Sequence, residues 1–370
     1  MRIAFISPFI YRYWRGIERF TVRLSNVLAK TDRDMRITIL TWQEKSPKGI
    51  DGLADRVEIH NVPYFRYYRS IAAIPFYAAD LLRNRYDVVN IFFAGYGEAE
   101  ALRFLRLTRR QKFNIIFQYP YSHAPHQYIE FQKSALIDKA DCVISPSKFV
   151  AEEIEKFCGK KSKIIYNGVD CDNFYSDGEL RKKTRSALCI SEGDRVILTI
   201  SALEERKGIQ KVIRVLPILG KKVKNVKYVI VGEGPYEPQL KNLTKDMGME
   251  EQVVFVGGKE NIQPFYCMAD LFVLLSYGEG MPLAVLSAMA SWLPVIASKQ
   301  KPFDEIIKDG AGYLVDDTDP EAISEAISNL FMNDSLREKM RQSARACVVD
   351  NFDINKTALQ YRKLFRSQAQ

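Results

Sequence analysis

The chain has 370 residues, 47% of them hydrophobic and 27% charged, with a formal net charge of +9. That length and balance predict two domains with ample core and exclude a disordered or fibrous chain. Six cysteines without a CxxC pair, and three histidines without metal spacing to a cysteine, exclude a zinc site and read as the reduced thiols of a cytosolic protein. The opening MRIAFISPF has no basic region ahead of an apolar segment, so no secretory signal is expected.

The charge is lopsided. Residues 1–165 carry 27 Lys and Arg against 17 Asp and Glu, and residues 166–370 carry 27 against 28. A basic first half suits an anionic membrane surface, an anionic lipid-linked substrate or nucleic acid, or is simply a solvated face. Nothing resembles a nucleic-acid-binding module, so that partner is not expected.

In chain order, Ile3 to Ser7 is an apolar run stopped by Pro8, a first strand. Gly16, Ile17, Glu18 and Arg19 precede a helix with apolar Phe20, Val22, Leu24, Val27 and Leu28, and Ile37 to Leu40 is the next strand. Strand, glycine loop, helix, strand opens a doubly wound α/β domain, although the dinucleotide fingerprint G-x-G-x-x-G is absent. Residues 63–85 mix Tyr64, Phe65, Tyr67, Tyr68, Phe76 and Tyr77 with Arg66, Arg69, Arg83 and Arg85. They read either as an amphipathic segment in a membrane interface or as a core helix with charged ends. Arg103, Arg106, Arg109, Arg110 and Lys112 extend the positive surface.

Val88 to Phe93 and Asn114 to Phe117 are further strands. After the second comes Tyr119-Pro120-Tyr121-Ser122-His123-Ala124-Pro125-His126, where open α/β sheets place ligands. His123 is the candidate there, with His126 in reserve. Residues 140–147 read as strand and turn, with a helix from Phe149. Asn167-Gly168 is a turn signal, and the domain boundary is placed there. Asp170-Cys171-Asp172 has the Asp-x-Asp spacing of a metal site, but so has Asp32-Arg33-Asp34, and no metal is assigned to either.

The alternation then restarts. Val196 to Ser201 is a strand leading to the loop Glu204-Glu205-Arg206-Lys207-Gly208 and a helix. Tyr228 to Val231 ends in Gly232-Glu233-Gly234-Pro235, Val253 to Val256 in Gly257-Gly258, and Leu271 to Leu275 runs into residues 276–298, SYGEGMPLAVLSAMASWLPVIAS. This last stretch organises the chain. It reads as a glycine loop with Gly278, Glu279 and Gly280, a helix opened by Pro282 with apolar positions Leu283, Leu286, Ala290 and Leu293, and a buried strand at Val295 to Ala297. The N–H groups of residues 280–284 form a partly positive helix mouth suited to a phosphate or a sugar hydroxyl. Glu279 beside it can accept hydrogen bonds from a polyol. The plainer alternative is a strand–loop–helix with a surface Glu. Gly280 to Ser298 is 19 residues without a charge, but its prolines and serines argue against a membrane span.

Glu279-Gly280-Met281-Pro282 followed by Pro294-Val295-Ile296-Ala297 resembles the signature of retaining nucleotide-sugar glycosyltransferases of family 4, group 1. Gly16, Glu18 and Arg19, Ala140-Asp141-Cys142-Val143-Ile144, Asn167-Gly168-Val169-Asp170 and Glu305-Ile306-Ile307 with Gly310 are similar to other motifs of that family. The resemblance spans nearly the whole chain and is strongest over 164–320. It implies the GT-B fold, two Rossmann-like doubly wound domains facing across a cleft. Residues 1–167 would be the acceptor-binding domain, with a C-terminal helix at about 354–370 packed back on it, and residues 168–353 would be the donor-binding domain.

The resemblance further implies a metal-independent, retaining hexosyltransferase without a cofactor, using a UDP- or GDP-linked donor and a lipid-linked or glycan acceptor, in cell-envelope glycan or glycolipid synthesis. The chain would be cytoplasmic and peripheral on the inner face of the membrane. Glu279, Lys207 and His123 are the implied catalytic residues. Gly16, Arg206, Gly234, Gly280, Met281, Pro282, Leu283 and Ser287 are the implied substrate-binding residues. The chain departs from the family in three places. Arg15 replaces the first Gly of the early loop. Ser201-Ala202-Leu203 replaces Gly-Arg-Leu, leaving Lys207 with Arg206 as the candidate substitute. Ser287 replaces a second Glu, which costs about 1–2 kcal/mol of charge-assisted bonding. These departures leave three readings open: a transferase with a looser nucleotide grip, one with an unusual donor, or a non-catalytic sugar- or nucleotide-binding relative.

Overall fold

The structure is a computed structural model of the chain. It describes residues 1–7, 16–43, 52–63, 73–92, 114–118, 137–308 and 310–369. His123, His126, Arg15, residues 64–72 and the arginines at 103–110 lie outside the described residues. Two compact units result, Met1–Gly168 with Ile354–Gln370, and Val169–Asp353.

The first unit holds strands β1 (Arg2–Ile6), β2 (Arg36–Gln43), β3 (Val57–Pro63), β4 (Val88–Ile91), β5 (Asn114–Gln118), β6 (Cys142–Ser145) and β7 (Lys163–Ile164). They form one parallel sheet in the order β3-β2-β1-β4-β5-β6-β7. Sequence reasoning missed β3. Its Glu58, His60 and Asn61 leave it without an apolar run, as suits an edge strand with one neighbour.

Helices Ile74–Asn84 and Lys148–Cys158 cover one face of this sheet, burying Tyr77, Leu81, Val150 and Ile154 with Ile6, Val89 and Val143. Within the aromatic-basic segment, Tyr77 is therefore core, whereas Phe76 is 42% exposed. On the other face Phe5 meets Phe92 at 5.0 Å and Phe365 at 6.0 Å, which docks the C-terminal helix Ile354–Ala369. Helix Gly16–Thr31 adds Phe20, 6.0 Å from Phe92. Gly16 is the first residue of that helix rather than part of a preceding loop.

The second unit holds β8 (Arg195–Ile200), β9 (Val226–Val231), β10 (Val253–Gly257), β11 (Leu271–Leu274), β12 (Val295–Ser298) and β13 (Gly312–Val315), parallel in the order β10-β9-β8-β11-β12-β13. β8, β11 and β12 are apolar runs because both their faces are covered. The strand order reverses between β8 and β11, whose registers pair Ile197 with Leu271 and Leu198 with Phe272. The loops leaving their carboxyl ends diverge there, the position at which doubly wound sheets receive ligands.

Below the opposite ends of these strands sits a buried charge node. Asp270 accepts from Arg181 Nη2 at 2.7 Å, Arg185 Nη2 at 3.0 Å and the Val196 amide at 2.7 Å. Arg185 is only 1% exposed and spends its other donors on the carbonyls of Met268, Ser191, Glu192 and Asp194.

Candidate active site

The loop after β8 ends in a 3-10 turn, Glu205–Lys207. Gly208 closes it with φ +70°, donating to Glu205 O at 3.1 Å, and opens helix Ile209–Lys222. Only glycine fits here. A Cβ on Gly208 would lie 2.0 Å from the Leu275 carbonyl oxygen, in a backbone conformation that side chains disfavour. The approach brings the turn against the end of β11. There the Tyr277 amide donates to Arg206 O at 3.0 Å and stitches the two loops together.

Their charged side chains meet as a result. Lys207 Nζ donates to Glu279 Oε1 at 2.5 Å, and Arg206 Nη1 stands 3.7 Å from the same oxygen. Arg206 Nε also donates to Glu204 Oε2 at 2.8 Å. Glu279 is 9% exposed, so the surface-Glu alternative is set aside. Burial pushes its carboxyl up; the charges of Lys207 and Arg206 and the Lys207 hydrogen bond outweigh that and hold it below the ordinary carboxylate value.

Gly278 to Pro282 are buried, and helix Leu283–Ala290 follows. Pro282 sits at the cap rather than inside the helix, and its carbonyl accepts the amides of Val285 at 3.0 Å and Leu286 at 3.3 Å. By helix geometry the amides ahead of these point out of the helix mouth beside Glu279. The helix ends sooner than its apolar spacing suggests. Trp292 turns left-handed at φ +63°, and Leu293 donates back to Ala288 O at 3.0 Å, a Schellman closure. Ser287 lies on this helix, 6% exposed.

The loop after β9 is drawn in by two glycines. A Cβ at Gly232 would be 1.9 Å from Ser201 O, and one at Gly234 would be 2.4 Å from Leu203 O. Leu203 is anchored in turn, its amide donating to Glu233 O at 3.0 Å and its carbonyl accepting the Tyr236 amide at 2.9 Å. Lys207, Arg206, Gly234, Glu279, Gly280, Met281, Pro282, Leu283 and Ser287 thus all lie on loops or a helix at the carboxyl edge of the second sheet, whereas Gly16 belongs to the first unit.

Sequence reasoning missed the ion pair between Lys211 and Asp317, with Gln300 Nε2 3.4 Å from Asp317 Oδ1. The one sequence signal is that Lys211 falls one helical turn after Lys207. Asp170 serves its own turn, accepting the Asp172 and Asn173 amides at 3.2 Å each. Among the described residues no three His, Cys, Asp or Glu side chains are placed to hold a metal ion.

A cation-bearing loop, a buried carboxylate and a helix mouth stand together at the switch point of a parallel sheet, an arrangement whose chemistry suits an anionic, hydroxyl-rich ligand. Residues 181–346 match the family model described as glycosyl transferases group 1, and residues 14–173 match glycosyltransferase family 4. The chain belongs to these group 1, family 4 glycosyltransferases.

A relative in Mycolicibacterium smegmatis, the GDP-mannose-dependent alpha-(1-6)-phosphatidylinositol monomannoside mannosyltransferase, is 32% identical over 226 residues, covering 58% of this chain and 59% of that protein. The chain spans about three fifths of the length of the curated relatives it matches. The solved sucrose-phosphate synthase of Thermosynechococcus elongatus is similar with a TM-score of 0.83 at 19% identity, over 99% of this chain and 98% of that one. Anabaena HepE, solved in complex with UDP, gives 0.80 at 17% identity over 99% and 100%. At these identities the likeness is one of fold, and the fold is GT-B.

Proposed function

We propose that the chain is a retaining glycosyltransferase that moves a hexose from a UDP- or GDP-linked donor to a lipid-linked or glycan acceptor in cell-envelope glycan or glycolipid synthesis. The observation that carries this reading is the contact of Lys207 with Glu279 at the carboxyl ends of β8 and β11. Glycosyl transfer releases a nucleoside diphosphate, and the charge that builds on it must be met without bulk water. Lys207 and Arg206 supply cations, and the N–H groups of Gly280, Met281 and Leu283 around the helix mouth supply donors. Glu279 accepts the hydroxyls of the donor sugar and orients it. No step in this reading needs a metal or cofactor.

The second unit, Val169–Asp353, would hold the donor, and the first, Met1–Gly168 with Ile354–Gln370, the acceptor; Gly16 and His123 are the residues of the first half that this reading assigns to substrate. The lipid-linked acceptor is supported by the phosphatidylinositol monomannoside of the mycobacterial relative's name, and the donor bases by that name and by the UDP of HepE. A peripheral place on the inner membrane face is supported by the basic first half. Among the described residues no helix is long and apolar enough to cross a membrane.

Ala202 and Ser287 favour a second reading, a non-catalytic sugar- or nucleotide-binding scaffold with a weakened donor grip. Thermal melting with UDP- and GDP-sugars, followed by mass spectrometry of donor hydrolysis, separates the two. A transferase gives a shift and hydrolysis with at least one donor. A shift without hydrolysis, or no shift with any donor, supports the non-catalytic reading.

A further inference from the structure

We infer that Glu279 makes this site select a sugar-linked nucleoside diphosphate over the free nucleoside diphosphate that the reaction releases; this rests on the donor-site reading above. The charged side chains of the site are paired with one another. Lys207 and Arg206 face Glu279 and Glu204, and the side chains of Lys207 and Glu279 are only 12% and 11% exposed. A phosphate that seats on Lys207 must take the lysine from Glu279. Stripping a buried carboxylate of its cation is costly unless new donors replace it.

The two ligands differ at this point. A sugar-linked diphosphate brings hydroxyl donors on the group attached to its outer phosphate, so Glu279 exchanges an ammonium for hydroxyls and stays bonded. A free diphosphate brings no such donors. Its terminal phosphate also carries an additional negative charge, which meets the carboxylate head-on. Cations alone would favour the free diphosphate, the more highly charged ligand. Glu279 reverses that order. The same exchange run backwards assists release. Once the sugar leaves for the acceptor, the carboxylate loses its hydroxyls and reclaims Lys207 from the departing diphosphate. Gly208 makes this competition close, because its tight approach to Leu275 holds the lysine turn and the Glu279 loop together.

Titration calorimetry with UDP, GDP, UDP-glucose and GDP-mannose tests this. In the unmutated chain, the sugar-linked form of the base that binds should bind at least as tightly as its free diphosphate. A free form bound tenfold or more tightly overturns the inference. In Glu279→Gln, free diphosphate should bind about five- to tenfold more tightly and the sugar-linked form about tenfold less tightly, so that the preference inverts. Unchanged or weaker binding of the free diphosphate overturns the inference. Glu279→Ala, with the same signs expected, replaces Glu279→Gln if the latter does not melt cooperatively. A wild-type chain that binds none of the four ligands sinks the proposed function as well. Binding without the inversion sinks only this inference.

Discussion

The Leu275 carbonyl oxygen occupies the space that a side chain on Gly208 would need, 2.0 Å from where its Cβ would stand. Gly208→Ala would carry a left-handed backbone cost of about 1 kcal/mol and also force the turn off the end of β11. The expected total is about 2–4 kcal/mol, read from urea midpoints. Gly248 is the control. It has φ +64° with nothing within 4 Å of its Cβ, so Gly248→Ala should cost only the backbone part, about 1 kcal/mol. Equal losses at the two sites would show that the Leu275 contact does not matter.

Lys207→Met should move the acid limb of stability. Burial raises the Glu279 carboxyl, and Lys207 and Arg206 bring it below its model-peptide value of 4.5. A folded value below the unfolded one contributes stability above the unfolded value, and this is lost as pH falls through the folded one. Without Lys207 the burial effect is opposed mainly by Arg206, and the carboxyl rises. Melting temperatures between pH 3 and pH 8 should show the variant below the parent at neutral pH and the gap narrowing as pH falls through the carboxylate range, because protonating Glu279 costs the parent stability but not the variant. Parallel curves would mean that Glu279 draws no charge support from Lys207.

The doubly wound alternation was legible because parallel strands covered on both faces have to be apolar runs. β8, β9, β11 and β12 announce themselves in this way. Edge and short strands do not. β3 carries Glu58 and His60, and β7 is two residues long. Lys207 and Glu279 could each be singled out from a local motif. Their contact spans 72 residues and depends on which strands are neighbours, which spacing along a chain does not encode. The end of helix Leu283–Ala290 was misjudged for a related reason. Trp292 takes the left-handed closing position usually given to Gly, so the expected stop signal is missing from the sequence.

Asp270 should be the most sensitive acidic residue of the second unit away from the site. It is the shared acceptor of Arg181, Arg185 and the Val196 amide. Asp270→Asn leaves the fully buried Arg185 without its counter-charge, and about 3–5 kcal/mol should be lost. Arg181 is 28% exposed on its side chain, and Arg181→Ala should cost far less. Denaturant midpoints of the two variants settle the order. A loss at Asp270 no larger than at Arg181 would mean that water reaches the node.

The C-terminal helix should be held by its apolar face rather than by its ion pair. Arg366 donates through Nε at 3.1 Å and Nη2 at 2.8 Å to Asp32, which closes the far end of helix Gly16–Thr31. Burial raises the Asp32 carboxyl, but the bonds from Arg366 and the Asp34 amide lower it further, so the pair supports the fold above the ordinary Asp value and fails as pH drops below it. The Arg366 side chain is 55% exposed, so screening limits Arg366→Ala to about 0–1 kcal/mol. Phe365, by contrast, is fully buried against Phe5 and Tyr361. Phe365→Ala should cost about 3–5 kcal/mol and open helix Ile354–Ala369 to amide exchange. Exchange mass spectrometry on this helix distinguishes the two. Rapid exchange in Arg366→Ala with protection kept in Phe365→Ala would reverse the assignment and make the ion pair the anchor.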